Sequence, residues 1–175
     1  MFPRSTFVFA AILMLTPFAA LAQDAKPNDA QIAHIAYTAG ALDIAAGKQA
    51  IAKTSDPKVK SFAEEMVRDH QAVNDKALAL VKKLNVTPAD NPTSQSLTKA
   101  AEAKRAELNK LSGAQFDRAY IENEVAYHKT VNGTLKDTLI PDAQNAELKA
   151  LLQQGLTLFT AHQKHAEEIA QSMAR

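Results

Sequence analysis

Between Val59 and Leu84 the apolar side chains recur at Val59, Phe62, Met66, Val73, Ala77, Leu80 and Leu84. The gaps are three or four residues, which is the spacing of one face of an α-helix. The single longer gap, from Met66 to Val73, has His70 at its middle. A histidine thus stands where a core residue is expected. The same substitution recurs at His128, between Val125 and Val131, and at His162, between Phe159 and Ala166. A chain with this pattern must bury several imidazoles inside packed helices. A buried imidazole without a partner costs on the order of a few kcal/mol.

The N-terminus carries Arg4, an apolar run from Phe7 to Leu15, and Ala20-Leu21-Ala22 before Gln23. This is the layout of a secretory signal peptide cleaved after Ala22. The run is too short to span a bilayer, which takes about 20 apolar residues. No cysteine follows that would accept a lipid anchor. Residues 23–175 are therefore expected to form one exported domain, with the bacterial periplasm as its compartment. Loss of Arg4 leaves 19 basic side chains against 19 acidic ones, without long blocks of either sign. Such a balance offers no footprint for nucleic acid. The complete lack of cysteine excludes thiolate, iron–sulfur and disulfide chemistry.

Along the exported chain, Asp29 is expected to cap a first helix that runs to about Lys53, with Gly40 and Gly47 as weak points in it. Thr54-Ser55-Asp56-Pro57 ends that helix and starts a second, from Pro57 to about Asn85. So short a break makes the two antiparallel neighbours. Val86 to Thr93 reads as a loop, and Ser94 to Lys110 as a short helix inside a long crossover. Ser112-Gly113-Ala114-Gln115 has the form of a capping box and opens a third long helix. Leu139 to Asn145, with Pro141, reads as the turn into a fourth that carries Leu148, Leu152, Phe159, His162 and Ile169. No stretch keeps two-residue alternation. The expected fold is all-α: a ferritin-like four-helix bundle with a short extra helix in the crossover between the second and third bundle helices.

Four pieces of the chain also resemble a known family. They are Ala41-Leu-Asp-Ile-Ala-Ala-Gly-Lys-Gln-Ala50, Lys60-Ser-Phe-Ala-Glu-Glu-Met-Val-Arg-Asp-His70, Phe116-Asp-Arg-Ala-Tyr-Ile121 with Ala126-Tyr127-His128, and Leu148-Lys-Ala-Leu-Leu152 with Ala161-His162. The resemblance is to the exported bacterial family called domain of unknown function 4142, and it implies a ferritin-like bundle without an assigned activity. The family usually shows glutamate in the first helix, where this chain has Asp43 and, two residues on, Ala45.

Two explanations fit three core histidines. In one they form a hydrogen-bond network with Asp43, Glu124, Tyr120 or backbone and only fix helix register. In the other they share a divalent transition-metal ion, with His70, His128, His162, Asp43 and Glu124 as the ligand set. Counting from the hairpin turn places His70 within a turn of Asp43. Counting from a turn at Asp142 leaves His128 and His162 about 9 Å out of register along the axis. A ferritin-type di-metal centre needs Glu-x-x-His on two helices, and Val67 and Phe159 occupy those glutamate positions. Glu65, Asp69, Arg68 and Glu64 read as a solvated face of mixed charge, Arg68 pairing with Glu64. Asp69 is a candidate to orient His70 from behind. His162 and His165, three apart, form a second, single-helix candidate with Glu168. His34 is expected to face solvent, and Tyr37, Tyr120 and Tyr127 to pack with wet hydroxyls. No nucleophile triad, phosphate loop or catalytic carboxylate pair appears. The sequence thus favours a non-enzymatic metal-binding bundle over a structural or interaction protein, and both over a redox enzyme.

Overall fold

The computed structural model describes residues 26–174; the signal-peptide reading of residues 1–22 and its cleavage point lie outside them. Helix α1 spans Asp29–Lys53, α2 Pro57–Lys83, α3 Pro92–Asn109, α4 Gly113–Thr134, α5 Ile140–Asp142 and α6 Ala146–Met173. A π turn, Leu135–Leu139, joins α4 to α5 without a break in the helical path. Among the described residues there is no strand, and no helix is long and apolar enough to cross a membrane.

The four long helices form the bundle. The hairpins α1–α2 and α4–α6 pack against each other, and α3 lies along α1 within the single long crossover. This is the ferritin-like path that the short first turn and the polar, proline-bearing connection imply. Asp56 caps α2 by accepting from the Lys58 and Val59 amides, as the Asp-Pro start predicts. Two other caps differ from expectation. Asn28, not Asp29, caps α1 in a reciprocal box with Gln31. Asp29 instead accepts from the Gln144 and Asn145 amides at 2.8 and 2.9 Å, which fastens the start of α1 to the start of α6. Ser112 makes no side-chain cap bond: Gly113 takes φ +55° and turns the chain out of capping-box geometry.

Gly40 and Gly47 lie on the α1–α2 contact rather than being mere weak points. A Cβ at Gly40 would stand 2.3 Å from Asn74 Oδ1, and one at Gly47 2.8 Å from Val67 Cγ2 and 3.1 Å from the Ala63 carbonyl. They bracket Asp43 and let α2 approach it closely.

The core is divided in two. One apolar cluster joins Ala46, Ala50, Val59, Phe62, Met66, Phe116, Tyr120, Ile121 and Ile169. The other joins Ile32, Ile35, Leu135, Leu139, Leu148, Leu152 and Phe159. In each bundle helix a polar residue falls in the stretch between the two clusters: Asp43 in α1, His70 in α2, His128 in α4 and His162 in α6.

Candidate metal centre

That middle layer is the candidate site. Asp43, His70, Glu124, His128 and His162 are each at most 2% exposed. Five chemistry-bearing side chains from all four bundle helices therefore meet where water does not reach. One ligand atom from each of His70, His128 and His162 lies within 4.8 Å of the others, and the same holds for Asp43, Glu124 and His128. The register offset expected between His128 and His162 is corrected: their rings are 5.5 Å apart. The helix runs on through the π turn and past Pro141, so the chain reverses at Ala143–Asn145 and not before it. The Ile140 amide reaches back to the Leu135 carbonyl, the wide spacing of a π turn.

The nearest donors form a small triangle. His70 Nε2 is 2.8 Å from Asp43 Oδ2, His128 Nε2 is 3.4 Å from the same oxygen, and the two nitrogens are 3.4 Å apart. Donors held about 2.0–2.1 Å from a tetrahedral ion lie roughly 3.4 Å from one another. Two of the triangle's edges have that length; the third, His70 to Asp43 at 2.8 Å, has that of a hydrogen bond. The Asp43 carboxylate also faces the Glu124 carboxyl.

Tautomers follow from the neighbours. His128 Nδ1 is 3.1 Å from the Glu124 carbonyl, to which it donates, so its Nε2 carries a lone pair into the triangle. His162 Nε2 is 3.1 Å from Asp69 Oδ2 and donates there, which leaves its Nδ1 bare, buried and unpartnered. A carboxylate behind an imidazole is the usual support for a metal-ligating histidine. Asp69 supplies it to His162, not to His70. Phe159, at a position where a ferritin-type centre has glutamate, stacks on the His70 ring with centroids 4.4 Å apart and planes 9° from parallel. Val67, at the other such position, packs toward Gly47.

Electrostatics sharpen the picture. Burial pushes the His128 pKa down to about 4, against the pull of Asp43 and with help from His70 and His162. Burial likewise lowers His162, with Asp69 opposing. Burial would raise Asp43, but the adjacent His70 and His128 outweigh it and its pKa is lowered. Glu124 is driven well up, first by burial and then by the Asp43 carboxylate facing it, so it keeps its proton and shares it with Asp43. The layer thus holds His128 and His162 as neutral imidazoles beside one anionic carboxylate and one protonated carboxyl.

Several other side chains lie elsewhere than the sequence indicates. Arg68 Nε pairs with Asp69 Oδ1 at 2.8 Å instead of with Glu64. Glu65 and Asp69 do not form a solvated face: they turn into the α2–α6 seam, Asp69 to His162 and Glu65 to His165 Nδ1 at 2.9 Å. His165 therefore engages α2 across the seam, and no cluster of His162, His165 and Glu168 forms among the described residues. His34 is half-buried with Nδ1 2.9 Å from Ser94 Oγ. Tyr120 is fully buried with its hydroxyl unpartnered, and the Tyr127 hydroxyl donates to the Ala39 carbonyl at 2.8 Å, so neither of these hydroxyls is wet. An apolar cavity of about 80 Å³ abuts His70 and His128 beside Phe159. That is about half the volume of a core cavity that admits benzene. A second cavity, of about 260 Å³, reaches the layer from the α1–α3–α4 side at Asp43 and Glu124.

No curated protein matches this chain. Two crystal structures share its fold. A DUF305 protein from Streptomyces coelicolor is similar with a TM-score of 0.70 and 10% identity, over 82% of this chain and 92% of the other. A DUF305 fragment from Deinococcus radiodurans also has a TM-score of 0.70, with 14% identity over 82% of this chain and 95% of that one. Identities this low carry likeness of fold alone. The family model for the domain of unknown function DUF4142 matches residues 15–169. Spanning most of the sequence and both halves of the bundle, that match makes the chain a member of the DUF4142 family.

Proposed function

We propose that this is an exported, periplasmic, non-enzymatic protein that holds one divalent transition-metal ion in the middle layer of its bundle. Asp43 Oδ2, His70 Nε2 and His128 Nε2 would be the first ligands. His162 Nδ1 completes the set, and Glu124 backs Asp43. One observation carries the reading: Asp43 Oδ2, His70 Nε2 and His128 Nε2 converge within 3.4 Å of one another on a buried point beside a buried His162 Nδ1 that lacks any hydrogen-bond partner. An unpaired buried acceptor costs about 1–3 kcal/mol, and a charged one more. A cation at the centre removes that cost. A nitrogen-rich set of this kind suits zinc, copper, iron or nickel, not calcium or magnesium.

A second reading has its own support. The His70–His128 contact at 3.4 Å and the proton shared by Asp43 and Glu124 can hold the layer together without an ion, so that the histidines only fix helix register. Elemental analysis separates the two. Protein comprising residues 23–175, purified without a His tag and incubated with zinc, iron, copper and manganese, should retain one equivalent of metal after desalting, and His70→Ala should retain none. Metal-free, fully folded wild type would leave only the second reading.

A further inference from the structure

The five residues of the middle layer are closed off from solvent, so an ion that binds there needs a way in. One side of the layer has a graded approach. Helices α2 and α6 run antiparallel, and along their seam two rungs of matched donors face each other. The outer rung is Glu65 Oε2 with His165 Nδ1 at 2.9 Å, and the inner is Asp69 Oδ2 with His162 Nε2 at 3.1 Å. Four residues separate the rungs on α2, about 6 Å of helix rise. Ligand atoms of Glu65, Asp69 and His162 lie within 4.8 Å of one another. Side-chain exposure falls steadily inward: 43% for His165, 30% for Glu65, 19% for Asp69 and 1% for His162.

Nothing in helix stability accounts for Glu65 and Asp69 standing four apart on one face, since like charges at that spacing are unfavourable by a few tenths of a kcal/mol. Arg68 already stands at the inner carboxylate, bound through Asp69 Oδ1, and shows that a cation is welcome there. The His165 ring is held against the edge of Phe62, with centroids 5.3 Å apart, so its Nδ1 stays turned to Glu65. Two carboxylates and one imidazole make a mixed oxygen–nitrogen set for a divalent transition-metal ion that keeps part of its water. His162 spans both places: its Nε2 belongs to the seam and its Nδ1 to the buried layer.

We propose that Glu65, Asp69 and the outward face of His162, with His165 holding Glu65 at the outer edge, form a second, weaker cation site through which a divalent transition-metal ion reaches the buried centre. The proposal rests on the metal-holding reading of the middle layer, and its test keeps the two apart. Metal-free wild type and the double variant Glu65→Gln/His165→Gln are titrated with Zn2+ by calorimetry, and capture of Zn2+ from a chelating dye is timed after rapid mixing. Both substitutions keep side-chain length at half-exposed positions, and circular dichroism checks the fold. Wild type is expected to bind one zinc tightly and one weakly. The double variant should lose the weak step, keep the tight constant within about twofold, and capture zinc about tenfold more slowly, as loss of a charged funnel predicts. A wild type with only the tight site, or a double variant that captures zinc at the wild-type rate, overturns the proposal. Weak binding that the double variant abolishes, in a protein lacking the tight site, would sustain the seam site and refute the buried centre. No binding at all would refute both.

Discussion

Replacing Glu124 by glutamine separates two opposing proton balances in the buried layer. His128 has a pKa of about 4 in the folded protein and an ordinary value of 6.5 when unfolded. Below pH 6.5 the unfolded chain takes up a proton that the folded chain refuses, so stability falls with acidity until about pH 4. At pH 5 the deficit spans 1.5 pH units at 1.36 kcal/mol each, or about 2 kcal/mol. His162 is shifted the same way and adds to it. Glu124 acts in the opposite sense. Its folded pKa is raised, so the stability linked to its proton is present below the unfolded value of 4.5 and is lost as the pH rises toward the folded value. In wild type, acidification therefore costs stability at the histidines and restores it at Glu124. Glutamine keeps the shape and a donor toward Asp43 but does not titrate. Metal-free Glu124→Gln should lose about 2 kcal/mol or more between pH 7.5 and pH 5, a fall of about 1 M in the urea midpoint for a slope near 2 kcal/mol/M. Wild type should lose less. Urea unfolding at both pH values, in the presence of a chelator, reads the difference. Coincident midpoints for Glu124→Gln would refute the buried neutral state of His128.

Two further substitutions probe how the layer is held. Gly47→Ala gains up to about 1 kcal/mol of helix propensity. Its new Cβ would meet Val67 and the Ala63 carbonyl. Because a backbone carbonyl cannot move without shifting α2, overpacking of about 1–3 kcal/mol should prevail and metal affinity should drop as His70 is pushed from Asp43. Stabilisation in urea unfolding would contradict this. Asp69→Asn takes the carboxylate from behind His162 and should weaken zinc binding about 10–100-fold in chelator competition while the fold persists. Unchanged affinity would mean that Asp69 does not orient a ligand.

Much of this was legible in the residues. Alanine-rich three-four spacing and the proline-bearing breaks define the helices, and the three-residue break after Lys53 makes the meeting of Asp43 and His70 a matter of counting. The meeting of His128 and His162 was not countable. A π turn has no signature in hydrophobic period, and Pro141 reads as a turn when it lies within a helical path. Asp69 and Glu65 look like surface charges because period distinguishes core from surface but not open surface from the seam between two helices. Ser112 fails as a cap for a reason local sequence hides, the left-handed conformation of Gly113. Glu124 could be named from its place one turn before His128. That it keeps its proton depends on Asp43, 81 positions away in the chain.

If one ion sits among Asp43, His70, His128 and His162, X-ray absorption at the zinc edge of the loaded, desalted protein will show its ligands. One zinc per chain is expected, with a nitrogen-dominated first shell at about 2.0–2.1 Å and the outer scattering of imidazole rings. An all-oxygen shell, or no zinc left to measure, would contradict it.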